Sequence, residues 1–182
     1  CLMNYRDLGG EQFDKISCIG MSEHVGRSNM PGFFKTVYQA LKTGGLFMQH
    51  TITTNIRHRR HRENSFLNTY MFPGGELMQE HDLLKQAADC GFELLNAENF
   101  RPHYIRTLND WISRMETHRS QLREMVSDQI FRIYHVFFIG SQVAFGRKQI
   151  SLFQNLFSKT GRHAGAIDHF LSPYSRNETR IA

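Results

Sequence analysis

Glu23, His50 and Tyr104 each follow an apolar, strand-like run, within the stretches 16–26, 45–52 and 92–104 respectively. In an open parallel sheet, residues just beyond the carboxyl ends of neighbouring strands converge on one crevice, where such folds bind ligands. A carboxylate, an imidazole and a phenol gathered there make a small-molecule site. Between them they can accept, donate and move a proton.

The elements that must position these groups are readable from the pattern. Residues 12–20 carry a buried-strand signature through Phe13, Ile16, Cys18 and Ile19, ending at Gly20. Ser28-Asn29 reads as an N-cap with Pro31 in the first turn, opening a helix whose apolar face is Phe33, Phe34, Val37, Tyr38 and Leu41. Lys42 and Gly44-Gly45 are expected to close it, and residues 45–52 form the next strand. Residues 53–72 are polar, basic and irregular, followed by a turn at Pro73-Gly74-Gly75. A second helix is expected over 76–89 and a third strand from Phe92 to Leu95. Helices are expected over 107–115 and 123–145, with Trp111 as core, and a fourth strand over 149–157. From Ser158 the chain is polar and aperiodic and reads as a poorly ordered tail. The order implies an α/β fold with a largely parallel sheet.

Bulk properties narrow the class. A chain of 182 residues with 40% hydrophobic content, including 15 Phe, supports one globular domain and argues against disorder. No apolar run approaches the roughly 20 residues a membrane span needs, and no secretory signal opens the chain. Three cysteines (Cys1, Cys18, Cys90), none at metal-ligand spacing, fit a reduced, cytoplasmic setting. Much of the net charge of +5 comes from residues 55–63 and from Arg162, Arg176 and Arg180. The 55–63 cluster reads either as a solvated loop or as a phosphate-facing patch. It lacks the interleaved aromatics of a nucleic-acid surface, which makes anionic lipid its better partner and argues for peripheral membrane contact. His58 and His61 within it read as solvated rather than as metal ligands. His24 reads as a local packing or capping residue, and His103 as a neighbour positioning Tyr104. The chain starts at Cys1 on what reads as the end of a strand and its turn, as a piece of a longer protein would.

Four motifs occur in order: Phe-Asp-Lys-Ile-Ser-Cys-Ile-Gly-Met-Ser-Glu-His-Val-Gly (13–26), Leu-Lys-Thr-Gly-Gly-Leu-Phe-Met-Gln-His-Thr-Ile (41–52), Phe-Pro-Gly-Gly (72–75) and His-Tyr-Ile-Arg-Thr-Leu-Asn-Asp-Trp (103–111). As a set, covering roughly residues 3–157, they resemble the cyclopropane-fatty-acid synthase family, which includes the mycolic acid cyclopropane synthases. The resemblance implies a class I S-adenosyl-L-methionine-dependent methyltransferase (Rossmann-like) sheet with flanking helices and its N-terminal strands missing. Residues 1–157 would be the C-terminal part of that catalytic domain, and 158–182 a tail. It further implies transfer of a methylene group to the cis double bond of an unsaturated phospholipid acyl chain, with bicarbonate as base.

In that reading Glu23, His50, the backbone at Ile52 and Tyr104 hold the bicarbonate. Aromatic walls would favour the developing carbocation, with Tyr134, Phe137 and Phe138 as candidates, although a stripe at that spacing also reads as core. Asn4, Tyr5, Arg6, Ile19 and Gly20 correspond to the cofactor's adenine side. Asn4 stands where many relatives have Asp, and Met78 where proline is common. The family's Gly-rich loop and its bicarbonate-holding cysteine have no counterpart here. The strand at 13–20 is therefore expected to be an exposed edge, and the chain alone is expected neither to bind the cofactor tightly nor to turn over. A related C- or N-methyltransferase, or an inactive truncated remnant, is the alternative.

Overall fold

A computed structural model describes residues 2–56 and 65–160. Its centre is a four-stranded sheet of β1 (Phe13–Ile19), β2 (Leu41–Thr54), β3 (Phe92–Asn99) and β4 (Ile150–Lys159), in the spatial order β1-β2-β4-β3. β1 and β2 are parallel, while β4 runs antiparallel to both of its neighbours. Three strands thus share one direction, but only one pairing is parallel, which amends the largely parallel sheet expected. The cause lies between β3 and β4. Helices α3 (Arg101–Thr117) and α5 (Asp128–Gly146), joined through α4 (Arg119–Met125), pair antiparallel, with Tyr104 against Phe145 and Trp111 against Phe138. Two crossings return the chain to the edge it left, so β4 must run back.

β2 alternates strictly, as a strand between two layers should. Phe47, Gln49, Thr51 and Thr53 are buried on one face, and Leu46, Met48, His50 and Ile52 are half-buried on the other. The first face is covered by α1 (Met30–Ala40) and α2 (Glu80–Asp89). Phe33 and Phe34 of α1 meet Phe47, Phe92 and Phe157 there, and Phe47 stacks on its cross-strand partner Phe157 at 5.8 Å. Each such ring contributes about 1.5–3 kcal/mol by burial. The second face packs Leu152, Ile52 and Ile150 against Leu108, Tyr104, Phe138 and Phe145 of α3 and α5.

Several boundaries differ from expectation, each for a local reason. Asn29 does not cap α1 with its oxygen; its amide donates to the Val25 carbonyl. The helix stops at Ala40 rather than at the glycines, and the Lys159 ammonium donates to the carbonyls of Tyr38 and Leu41 at 2.7 and 2.6 Å. β4 therefore extends through Ser158 and Lys159, residues expected in the tail. Gly45 serves the strand: a Cβ there would lie 2.8 Å from Leu41 Cγ and from the Lys42 carbonyl, and 2.9 Å from the Asp14 carbonyl. α2 starts at Glu80 because residues 76–78 are tied as extended chain, Glu76 N–H to the Glu23 carbonyl and Thr54 N–H to the Met78 carbonyl. The long helix expected over 123–145 is broken where the Ser127 side chain caps α5 by accepting from Ile130 N–H. β1 is the expected edge, with Ile19 66% exposed.

Candidate functional site at the carboxyl edge of the sheet

β1 delivers Glu23 through a short 3-10 turn, Ser22–His24. Ser22 is buried, and its hydroxyl donates to Thr51 Oγ1 at 2.8 Å, which ties the turn to β2. The same hydroxyl lies 3.4 Å from Glu23 Oε2, and Glu23 Oε1 accepts the backbone N–H of Ile52 at 2.8 Å. Two strand ends are thus joined by one carboxylate. On β2, His50 and Ile52 lie on the same face, and the His50 carbonyl accepts from Gly20 N–H at 2.9 Å. The imidazole rests against Phe100, centroid to centroid 6.1 Å. Among the described residues no hydrogen bond joins it to Glu23 or Tyr104.

Tyr104 does not end a strand, as the sequence suggested; it sits in the first turns of α3, whose start carries Pro102. Proline is pre-organised for a helix's first turn and lacks only a donor that has no partner there. The phenol is half-buried, edge-on to Phe145 and Trp111 at 5.2 and 6.0 Å. Burial, and then the negative charge of Glu23, push its pKa above the usual tyrosine range. Tyr104 therefore stays protonated at neutral pH and is a donor. Glu23, Ile52 and Tyr104 form one electrostatic unit, with His50 beside it on β2. Burial, assisted by Glu23, also raises the Cys18 thiol.

Trp111 was expected as core, yet it is 39% exposed. It belongs to a chain of rings: Tyr104, Trp111, Phe138, Phe137, Phe72 and His24, with successive centroids 5.4–6.0 Å apart. The chain of rings starts at Tyr104 and returns to the neighbour of Glu23. Phe137 and Phe138 were anticipated as site aromatics; Tyr134 packs on Phe138 from the exposed side. Phe72, Phe100 and Trp111 were missed, since only helix pairing and the 65–78 connection bring them to the site. His24 packs on Phe72, and His103 packs on Phe100 at 5.6 Å.

The residues expected on the cofactor's adenine side are Asn4, Tyr5, Arg6, Ile19 and Gly20. Gly20 has φ +61° with open space where a side chain would be, and Ile19 beside it is exposed. Asn4 caps the 3-10 turn Tyr5–Asp7, its Oδ1 accepting from Arg6 N–H at 3.0 Å, which leaves its amide nitrogen as the outward donor. The Tyr5 ring is edge-on to Phe33, with the Arg6 guanidinium over its other side. An open glycine and an amide donor fit an adenine-bearing ligand. His58, His61 and most of the basic cluster lie outside the described residues.

A sheet whose antiparallel strand is inserted beside parallel ones, with helices on both faces, has the Rossmann-like fold of the S-adenosylmethionine-dependent methyltransferases. The family model described as mycolic acid cyclopropane synthetase matches residues 1–155, and the chain belongs to that family. It is 33% identical over 156 residues to a probable fatty acid methyltransferase of Mycobacterium tuberculosis, covering 86% of this chain and 36% of that protein. It is 31% identical over 158 residues to the cyclopropane-fatty-acyl-phospholipid synthase of Escherichia coli K12, covering 87% of this chain and 40% of that protein. The structure of mycolic acid cyclopropane synthase CmaA1 complexed with SAH and CTAB superposes with a TM-score of 0.79 at 25% identity, covering 87% of this chain and 59% of that one. The chain thus spans well under half the length of these two curated relatives.

Proposed function

We propose that this chain carries the proton-handling and acyl-facing part of an S-adenosylmethionine-dependent transferase. Its reaction would convert the cis double bond of an unsaturated phospholipid acyl chain into a cyclopropane ring, at a membrane surface on the cytoplasmic side. The observation that carries the reading is the Glu23–Ile52–Tyr104 unit, faced by a chain of aromatic rings. When bound, S-adenosylmethionine supplies an electrophilic methyl group, and bicarbonate supplies the base that lets the ring close.

The chain's own residues have separable tasks. Glu23 accepts and orients a hydroxyl, held in place by Ile52 N–H. Tyr104, kept protonated, donates to an anion's oxygen, and a neutral His50 can donate alongside it. The ring faces of Trp111, Phe137 and Phe138 favour a positive charge developing on carbon, and together they exclude water. Asn4, Tyr5, Arg6, Ile19 and Gly20 would hold the adenine side of the cofactor. Exposed Val136, Ile139 and Val143, which share one side of α5, present an apolar strip suited to a lipid.

The chain alone is expected neither to bind S-adenosylmethionine tightly nor to turn over; micromolar binding by isothermal titration would contradict that. For the whole protein, mass spectrometry of intact lipids from expressing cells is decisive. Acyl chains should gain the mass of one methylene and lose their double bond, whereas unchanged lipids would refute a lipid substrate. Similarity to a probable fatty acid methyltransferase favours one second reading, methyl branching without ring closure. Proton NMR of the same extract separates upfield cyclopropane methylene protons from a branch methyl.

A further inference from the structure

The sheet face under α1 and α2 is apolar at one end and polar at the other. Gln49 on β2 and Asn155 on β4 are direct cross-strand partners, and both are fully buried. Neither side-chain amide has a hydrogen-bond partner among the described residues, and Thr53 Oγ1 on the same face also lacks one. Glu80, the first residue of α2, turns into this cluster. Both of its carboxylate oxygens are enclosed without a partner, and the Asn155 side chain faces them closely enough to favour the ionised form, though short of a complete hydrogen bond. Buried polar groups in such number call for hydrogen bonds within the cluster.

The buried amides carry donors and acceptors alike and can pair with either form of Glu80, but only the carboxylate carries a charge that burial penalises, and only the acid brings an O–H for an amide carbonyl. Among the described residues no opposite charge acts on Glu80 to favour the carboxylate. At this polar end β2 and β4 turn Gln49, Thr51, Thr53, Ser151, Phe153 and Asn155 to the face, none titratable, and β3 places Ala97 across from Asn155; Lys159, at the apolar end of the same face, is bonded to the Tyr38 and Leu41 carbonyls. On the segment around Glu80 the ionisable groups are Glu76, His81 and Asp82. Arg27, the nearby cation, is bonded to Glu76 and Asp82.

We propose that Glu80 is a proton switch: as the acid it donates to the buried amides and seats the start of α2 on the sheet, and as the carboxylate it is driven toward water. The switch has a route to the site. Residues 76–78, just before Glu80, carry the backbone bonds from Glu76 N–H to the Glu23 carbonyl and from Thr54 N–H to the Met78 carbonyl, both 2.9 Å. Unseating α2 loosens the support of Glu23. The inference concerns folding and needs no assumption about the reaction.

Burial raises the Glu80 carboxyl from 4.5 to about 7. The folded state then holds a proton that the unfolded chain has released, so the stability that Glu80 contributes is full below pH 4.5 and is lost as pH rises toward 7. Between those limits the folding equilibrium constant falls by about tenfold per pH unit. The test is carbon-13 NMR of labelled glutamate carboxyls in the wild-type chain, paired with thermal melts and amide exchange of wild type and Glu80→Gln across the same range. One carboxyl should titrate near neutrality and vanish in the variant. The melting temperature of wild type should fall relative to Glu80→Gln as pH rises, while the Thr54 and Glu76 amides exchange faster in wild type. If every glutamate titrates in the ordinary carboxylate range, a result read on wild type alone, the proposal is overturned. Parallel melting curves for the two proteins would overturn it as well.

Discussion

Glu23 accepts a backbone N–H from the neighbouring strand and raises the pKa of a phenol on a helix, so its charge has a readout separate from catalysis. Glu23→Gln retains an acceptor for Ile52 N–H but removes the negative charge. The Tyr104 phenol should then titrate lower than in wild type, yet stay above the ordinary tyrosine range because burial remains. Tyrosine Cζ NMR measures this directly, and an unchanged Tyr104 titration would separate the two residues electrostatically. At this scale the sequence was informative about Glu23, which follows the end of β1 as expected; His50 was expected past a strand end but lies within β2, and Ile52 was named only through the family resemblance. Tyr104 was located by motif but placed on the wrong kind of element. Pro102 there looks like the interruption of a strand, and only the helix it starts shows otherwise.

Elements were legible in kind and less so in length. All four strands and the main helices were expected, but β2, β3 and β4 run further than the pattern suggests, β3 because edge residues such as Glu93 and Glu98 carry no apolar alternation. Helix α1 ends under a constraint invisible locally, the Lys159 ammonium arriving from more than a hundred residues away. Gly45 looked like a helix stop, whereas its real task is close approach between β2 and β1. Gly45→Ala should therefore destabilise the chain by about 1–3 kcal/mol through overpacking, measured by urea denaturation. The three contacts under 3 Å are with two backbone carbonyls and a buried leucine, none of which can give way cheaply. A change of under about half a kcal/mol, the size of an ordinary surface substitution, would show that the strand relaxes freely there.

The whole molecule divides its chemistry between the two faces of one sheet. The α1–α2 face holds a dense aromatic core and, at one end, the buried Glu80 cluster; the α3–α5 face holds the rings around Tyr104. This division was not visible in the sequence, because Gln49 and Asn155 read as ordinary polar alternation until their strands are paired. Nor was the ring chain, which needs α3 and α5 packed antiparallel. The central claim is that Glu23 anchors a proton-handling site acting on acyl chains. It is tested most directly by comparing the full-length protein with its Glu23→Gln variant, matched for amount, in cells supplied with unsaturated lipid. Lipid mass spectrometry of the wild type should show conversion of the double bond with gain of one methylene, and the variant should convert at least about 100-fold less. Equal conversion by wild type and Glu23→Gln would contradict the account.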